Sequence, residues 1–350
     1  MYKARYKKYL LQFKQPSGTS RGVLTEKATY FIKIWEDADH SVIGIGECSI
    51  LKGLSVDDIE NYEGILGDIC KNINEYVGDL NSKLSAFPSI CFGIEAALLD
   101  LRNGGKRTLF PSEFTDGYQG ILINGLIWMG NIGFMKEQLR KKMEEGYRCI
   151  KIKIGAIEFE EELKFLNNFR QQYPHIEIRL DANGAFGIGD VKEKLRRLSK
   201  HKIHSIEQPI RHGNWVAMAE LCKESPVPIA LDEELIGINA YTKKEELINF
   251  IKPQYLILKP SLLGGFKNCE EWIELANNYK VGWWVTSALE SNIGLNAIAQ
   301  WTFTLKSKLP QGLGTGQLYT NNITSPLFIE DSKLWYMGND WSIDRIEAEE

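Results

Sequence analysis

Ile150-Lys151-Ile152-Lys153-Ile154-Gly155 is the stretch that decides the fold. Alternate residues of a strand share a face, so the three isoleucines lie on one side and Lys151 and Lys153 on the other. On an exposed edge strand both lysines would be solvated. In a barrel the apolar face turns to an outer ring of helices, and both lysines enter the lumen. There, burial and like charge would each lower an ammonium pKa, one route to a lysine base near neutral pH. The stretch by itself leaves both readings open.

The surrounding pattern favours the barrel. From about residue 120, short apolar strands alternate with amphipathic helices. The strands are expected at Ile121–Trp128, Ile150–Gly155, Ile176–Asn183, Ile203–Pro209, Pro228–Glu233, Tyr255–Pro260, Trp283–Ala288 and, more weakly, Gly312–Gly316. Between the second and third, Phe159, Leu163, Leu166 and Phe169 share one helical face, opposite Glu160, Glu161, Lys164 and Arg170. Eight evenly spaced strand–helix units fit a TIM-like (β/α)-barrel better than a doubly wound open sheet.

The strands also end alike. Asp181 ends the third strand pointing inward, Glu207 the fourth, Asp232 the fifth and Lys259 the sixth, each one strand–helix unit beyond its predecessor. This sets charged groups at one level near the C-terminal mouth, where barrel enzymes keep their active sites. Three carboxylates without a nearby histidine or thiolate suit a hard cation, Mg²⁺ first and Mn²⁺ second. Flanking lysines add a base and a counter-charge, equipment for removing a proton next to a carboxylate.

The first hundred residues have another character. Tyr2–Phe13 and Ala28–Glu36 read as strands joined through Gln15–Gly22, and Asp57–Leu80 and Pro88–Leu101 as helices. Residues 1–112 are thus expected to form an α+β unit and 113–316 the α/β barrel, with the tail 317–350 returning to the first unit.

Composition limits the partners. The chain has 350 residues, 43% hydrophobic, with 42 basic against 46 acidic residues and a net charge of −4. That balance argues against nucleic-acid binding. The longest apolar runs, such as Cys91–Leu99, fall far short of the about 18 residues a membrane span needs. The N-terminus alternates like a strand and has no secretory core. Six cysteines without paired spacing suggest reduced thiols in a cytoplasm. A small-molecule carboxylate is the expected partner, and association with further copies of the chain is left open. None of the five histidines has a catalytic partner in the pattern; His204 points away from Glu207.

Four segments carry a resemblance: Asp181-Ala182-Asn183, Glu207-Gln208-Pro209, Leu258-Lys259-Pro260-Ser261 and Ser287 to Leu295, together with the Lys151/Lys153 pair. Over nearly the whole chain these resemble the muconate-lactonizing subgroup of the enolase superfamily, whose members use a lysine or histidine base with Mg²⁺. The resemblance implies an enolase-like barrel under an N-terminal capping domain. It implies that Asp181, Glu207 and Asp232 hold Mg²⁺ and that Lys153 is the base. Lys259 would stand opposite as the stabilising cation, and Lys151 would tune Lys153. It places Asn183, Ser287 and Arg21, in the loop Gly18–Gly22, at the substrate, with Arg21 on a succinyl carboxylate. The implied activity is dehydration of 2-succinyl-6-hydroxy-2,4-cyclohexadiene-1-carboxylate in menaquinone biosynthesis. The segment Gln311–Gly316 lacks the acids with which dipeptide epimerases bind an ammonium group. N-acylamino acid racemisation, cycloisomerisation and a non-catalytic carboxylate-binding role are the alternatives.

Overall fold

The computed structural model describes residues 1–19 and 22–347. The chain opens with an antiparallel sheet of three strands in sequence order, Tyr2–Thr19, Gly22–Glu36 and Asp39–Ser49. The third of these is not evident in the sequence, because Gly44 and Gly46 interrupt its pattern. They are there for close approach to the helix Pro88–Arg102. A Cβ on Gly44 would come within 2.0 Å of the Ala97 carbonyl oxygen, and one on Gly46 within 1.9 Å of that of Gly93. The helical stretch expected over Asp57–Leu80 is broken into Tyr62–Lys71, Ile73–Tyr76 and Leu80–Lys83. The sheet buries Tyr30, Ile32 and Ile34 against Leu66, Ile69, Ile90 and Ile94 of these helices.

A parallel sheet of seven strands follows, each paired with the next in the chain. They are Gly125–Ile127, Cys149–Lys153, Glu177–Asp181, Ser205–Glu207, Ile229–Leu231, Tyr255–Leu258 and Gly282–Val285. The ring closes through single bridges, Gln311 to Ile123 and Gly312 to Thr286. The weak eighth strand is therefore a two-residue contact, and Gly314–Gln317 turns into a 3₁₀-helix. Such a glycine-rich segment has few side chains to hold a ladder. At Gly312 there is no room for one, since a Cβ would lie 2.6 Å from Thr286 Oγ1.

The first expected strand divides. Ile121–Leu122 pairs with Lys333–Tyr336 of the C-terminal hairpin, Ile123 makes the closing bridge, and Gly125–Ile127 joins the parallel sheet. The tail meets the N-terminal sheet as well. Lys14 N donates to Leu318 O at 2.8 Å, and Tyr9 OH to Asn321 O at 2.7 Å. Ile150, Ile152 and Ile154 are buried beneath the helices beside Leu166 and Phe169. Fully burying each such side chain contributes about 1.5–3 kcal/mol. That apolar demand forces Lys151 and Lys153 into the lumen.

Candidate active site

Register places the charged residues side by side. Lys153 lies opposite Asp181, and Asp181 opposite Glu207, across three neighbouring strands. Asp181, Glu207 and Asp232 are at most 2% exposed. Lys151 Nζ lies 2.9 Å from Asp181 Oδ2 and 2.6 Å from Glu207 Oε2. Lys153 Nζ donates to Asp181 Oδ2 at 3.0 Å and to Asn183 Oδ1 at 2.7 Å, with the Trp128 ring centroid 5.8 Å away. Lys259 Nζ donates to Asp232 Oδ2 and is 3.7 Å from Glu207 Oε1. All six charged groups expected at the mouth thus come together.

Their electrostatics reverse the expectation of a lowered pKa at Lys151. Burial does act to depress Lys151 and Lys259. The carboxylates Asp181, Glu207 and Asp232 outweigh it at Lys151, as do Asp232 and Glu207 at Lys259, so both ammonium groups titrate above their ordinary range. Like-charge repulsion between lysines is secondary: at Lys259 the effect of Lys151 ranks behind those of Asp232 and Glu207. Burial also opposes the charge of Asp181, yet Lys151, Lys153 and Lys259 hold it well below the usual carboxylate range. Glu207 is pushed up to about 7 by burial and by the charge of Asp181.

The third and fourth strands each end in a left-handed residue, Asn183 at φ +43° and Gln208 at φ +40°. Both side chains organise the site. Asn183 accepts from Lys153 and donates to Glu233 Oε1 at 3.1 Å, so it orients the lysine as well as lining the cavity. Gln208 Oε1 accepts from Asp232 N at 3.2 Å and Glu234 N at 3.3 Å, and its Nε2 donates to Glu234 Oε2 at 3.0 Å. The strand–helix spacing does not mark Gln208, Glu233 or Glu234 as site residues. The only local sign of them is an uncharged amide and two extra acids beside the expected ligands.

Above the charges lies a cavity of about 760 Å³. Its walls include Val23, Leu24 and Leu51 of the N-terminal unit, Trp128, Leu289 and Leu318. Ser287 lines it too, but its hydroxyl is paired with Thr315 Oγ1 at 2.5 Å. Arg21 lies outside the described residues.

The donor set fits a hard divalent cation. It is all oxygen, buried, and carried by three adjacent strands; Glu207 Oε1 is buried without a hydrogen bond. Among the described residues no three potential ligands converge closely enough to hold an ion as they stand, because Lys151 and Lys259 reach between the carboxylates.

Residues 134–336 match the family model described as Enolase C-terminal domain-like. The chain belongs to the enolase superfamily, a class in which Mg²⁺ is generally used. Within it, this chain groups with the o-succinylbenzoate synthases. It is 45% identical to o-succinylbenzoate synthase of Desulfotalea psychrophila, across 94% of this chain and 97% of that protein. The crystal structure of MenC from the same organism superposes with a TM-score of 0.82 at 42% identity, covering 95% of this chain and 99% of that one. An N-succinylamino acid racemase of Thermus thermophilus is 31% identical over 45% of this chain and 40% of its own length. The L-Ala-D/L-Glu epimerase of Bacillus subtilis has the same fold, with a TM-score of 0.82 at 16% identity over 97% of this chain and 98% of that one. No helix among the described residues is long and apolar enough to cross a membrane.

Proposed function

We propose that this chain dehydrates 2-succinyl-6-hydroxy-2,4-cyclohexadiene-1-carboxylate to o-succinylbenzoate, as a cytoplasmic Mg²⁺-dependent carbon–oxygen lyase of menaquinone biosynthesis. The observation that carries this is the placement of Lys153 and Lys259 around the buried trio Asp181, Glu207 and Asp232 at the barrel mouth.

Asp181, Glu207 and Asp232 would hold Mg²⁺, which would supply positive charge to stabilise an enediolate. Lys153 takes the proton α to the ring carboxylate. Asn183 Oδ1 fixes its amine at 2.7 Å, so the transfer starts from an oriented group. Lys259 stays an ammonium, held charged by its carboxylates, and stabilises the enediolate from the other side. Lys151 neutralises charge between Asp181 and Glu207. The proton gained by Lys153 then leaves with the ring hydroxyl as water, and the ring becomes aromatic. Proton and hydroxyl depart from one face, as a single acid–base lysine requires. The apolar wall of Leu24, Leu51, Trp128 and Leu289 suits the carbocycle.

A second reading at the same site is N-acylamino acid racemisation. It is favoured by the two lysines, which provide an acid–base group on each side of an α-carbon. Purified chain with Mg²⁺ should convert the hydroxycyclohexadiene substrate to o-succinylbenzoate faster than it racemises N-succinylamino acids, with both reactions stopped by a chelator. Lys153→Ala should lower the dehydration rate by about 10²–10⁴-fold. A near-normal rate in that variant would reject the mechanism.

A further inference from the structure

Glu290 lies in the turn that leaves the seventh strand and is fully buried. Its two oxygens face two different segments. Oε1 accepts from Ser261 Oγ at 2.5 Å, and Oε2 accepts from Ala288 N at 2.7 Å. Ser261 is two residues beyond Lys259, and Ala288 follows Ser287. One carboxylate therefore ties together the segments leaving the sixth and seventh strands.

The turn it holds is strained. Leu289 has φ +63°, a left-handed conformation that a branched apolar residue adopts only when its surroundings impose it. Its carbonyl accepts from Tyr319 OH at 2.7 Å, and its side chain lines the cavity. Ser291, two residues on, is fixed as well. Glu47 of the N-terminal sheet accepts from Ser291 N at 2.9 Å and Ser291 Oγ at 2.5 Å. Lys27, buried on the neighbouring strand, feels both Glu47 and Glu290 and donates to Ser49 Oγ at 2.6 Å. No step of the dehydration uses any of these groups.

We infer that Glu290 is a positioning residue for Lys259. Through Ser261 it fixes the backbone from which Lys259 reaches its carboxylates. Through Ala288 it sets the strained Leu289 wall at matching height, and Lys27 and Glu47 register that wall against the N-terminal unit. The inference rests on the role assigned above to Lys259.

A double-mutant cycle tests it, with steady-state dehydration assayed in Mg²⁺ and melting temperatures recorded alongside. Glu290→Ala should lower kcat about 100-fold, the effect of displacing a reacting group by about 1 Å, with KM little changed. Ser261→Ala, which keeps the Ala288 contact and the buried carboxylate, should lower kcat about tenfold. Glu290→Gln should recover most of the rate, because its carbonyl can still accept from Ala288 N and Ser261 can rotate to accept from its amide. In a Lys259→Ala background, neither Glu290→Ala nor Ser261→Ala should reduce the residual rate further. Additive losses in that background, losses confined to KM, or unchanged kcat in Ser261→Ala would overturn the positioning role. If Glu290→Ala fails to fold, the Ser261→Ala arm and its cycle with Lys259→Ala decide the matter. A wild-type chain that neither dehydrates the substrate nor binds o-succinylbenzoate would instead overturn the assigned reaction.

Discussion

Replacing Glu95 by glutamine should weaken the dependence of this protein's stability on pH. Glu95 lies on the helix Pro88–Arg102 and reaches the barrel. Its Oε2 accepts from Phe266 N at 2.6 Å and its Oε1 from Lys267 N at 3.3 Å, at the start of the helix Phe266–Asn278. A helix N-terminus favours an ionised carboxylate, usually by less than about 1 kcal/mol. Burial is the larger effect here and pushes the carboxyl up from 4.5 to about 7. Between those values the folded protein retains a proton that the unfolded chain has released. Stability therefore falls as pH rises from about 4.5 to about 7, then levels off. The displacement corresponds to about 3 kcal/mol. Glutamine keeps one acceptor for Phe266 N and has no proton to lose. Glu95→Gln should match the wild type near pH 5 and gain about 3 kcal/mol on it by pH 8, measured by urea denaturation at both values. If the difference between variant and wild type changes by less than about 1 kcal/mol across that range, burial does not govern this carboxyl. A relative loss at pH 8 would mean that the helix terminus dominates instead.

Three further outcomes follow from the same geometry. Lys151→Met leaves Asp181 and Glu207 buried without their nearest cation, at a cost of about 3–5 kcal/mol in chelator, and Mg²⁺ should restore part of it. An equal loss of melting temperature with and without Mg²⁺ would contradict the shared role of lysine and metal in balancing these carboxylates. Gln208→Ala unties the backbone of Asp232 and should weaken Mg²⁺ binding about 10–100-fold by titration calorimetry, whereas an unchanged Kd would assign Gln208 a purely structural role. Gly312→Ala forces a Cβ within 2.6 Å of Thr286 Oγ1 at the barrel closure. It should cost about 1–3 kcal/mol in urea denaturation, and an unchanged midpoint would mean that the closing segment moves freely.

What was legible depended on how local the signal is. The placement of Lys151 and Lys153 follows from strand period and the apolar demand of three isoleucines, and both are adjacent in sequence. The recurrence of an acid or lysine at 181, 207, 232 and 259 follows from the repeat of strand and helix. Where glycine replaces side chains the pattern loses its signal. The strand Asp39–Ser49 went unseen because Gly44 and Gly46 serve a helix some fifty residues away. The eighth strand is reduced to two single bridges because Gly312 has no room for a side chain beside Thr286.

Within the site, the sequence by itself determined the inventory: three carboxylates and three lysines on successive strands, and the hard-cation chemistry that such a set suits. Only the tertiary structure decided how these charges act on one another. Lys151 and Lys259 titrate high because buried carboxylates stand within ion-pair distance of them, a matter of geometry across strands that no spacing along the chain reveals. The same holds for the supporting residues. Gln208 and Glu290 are ordinary polar residues in the sequence, and Asn183 is marked there only for the substrate; each acquires its supporting role from a partner some 25 to 50 residues away. A buried hydrogen bond is short-ranged and directional, so its partner exists only once the strands are in register.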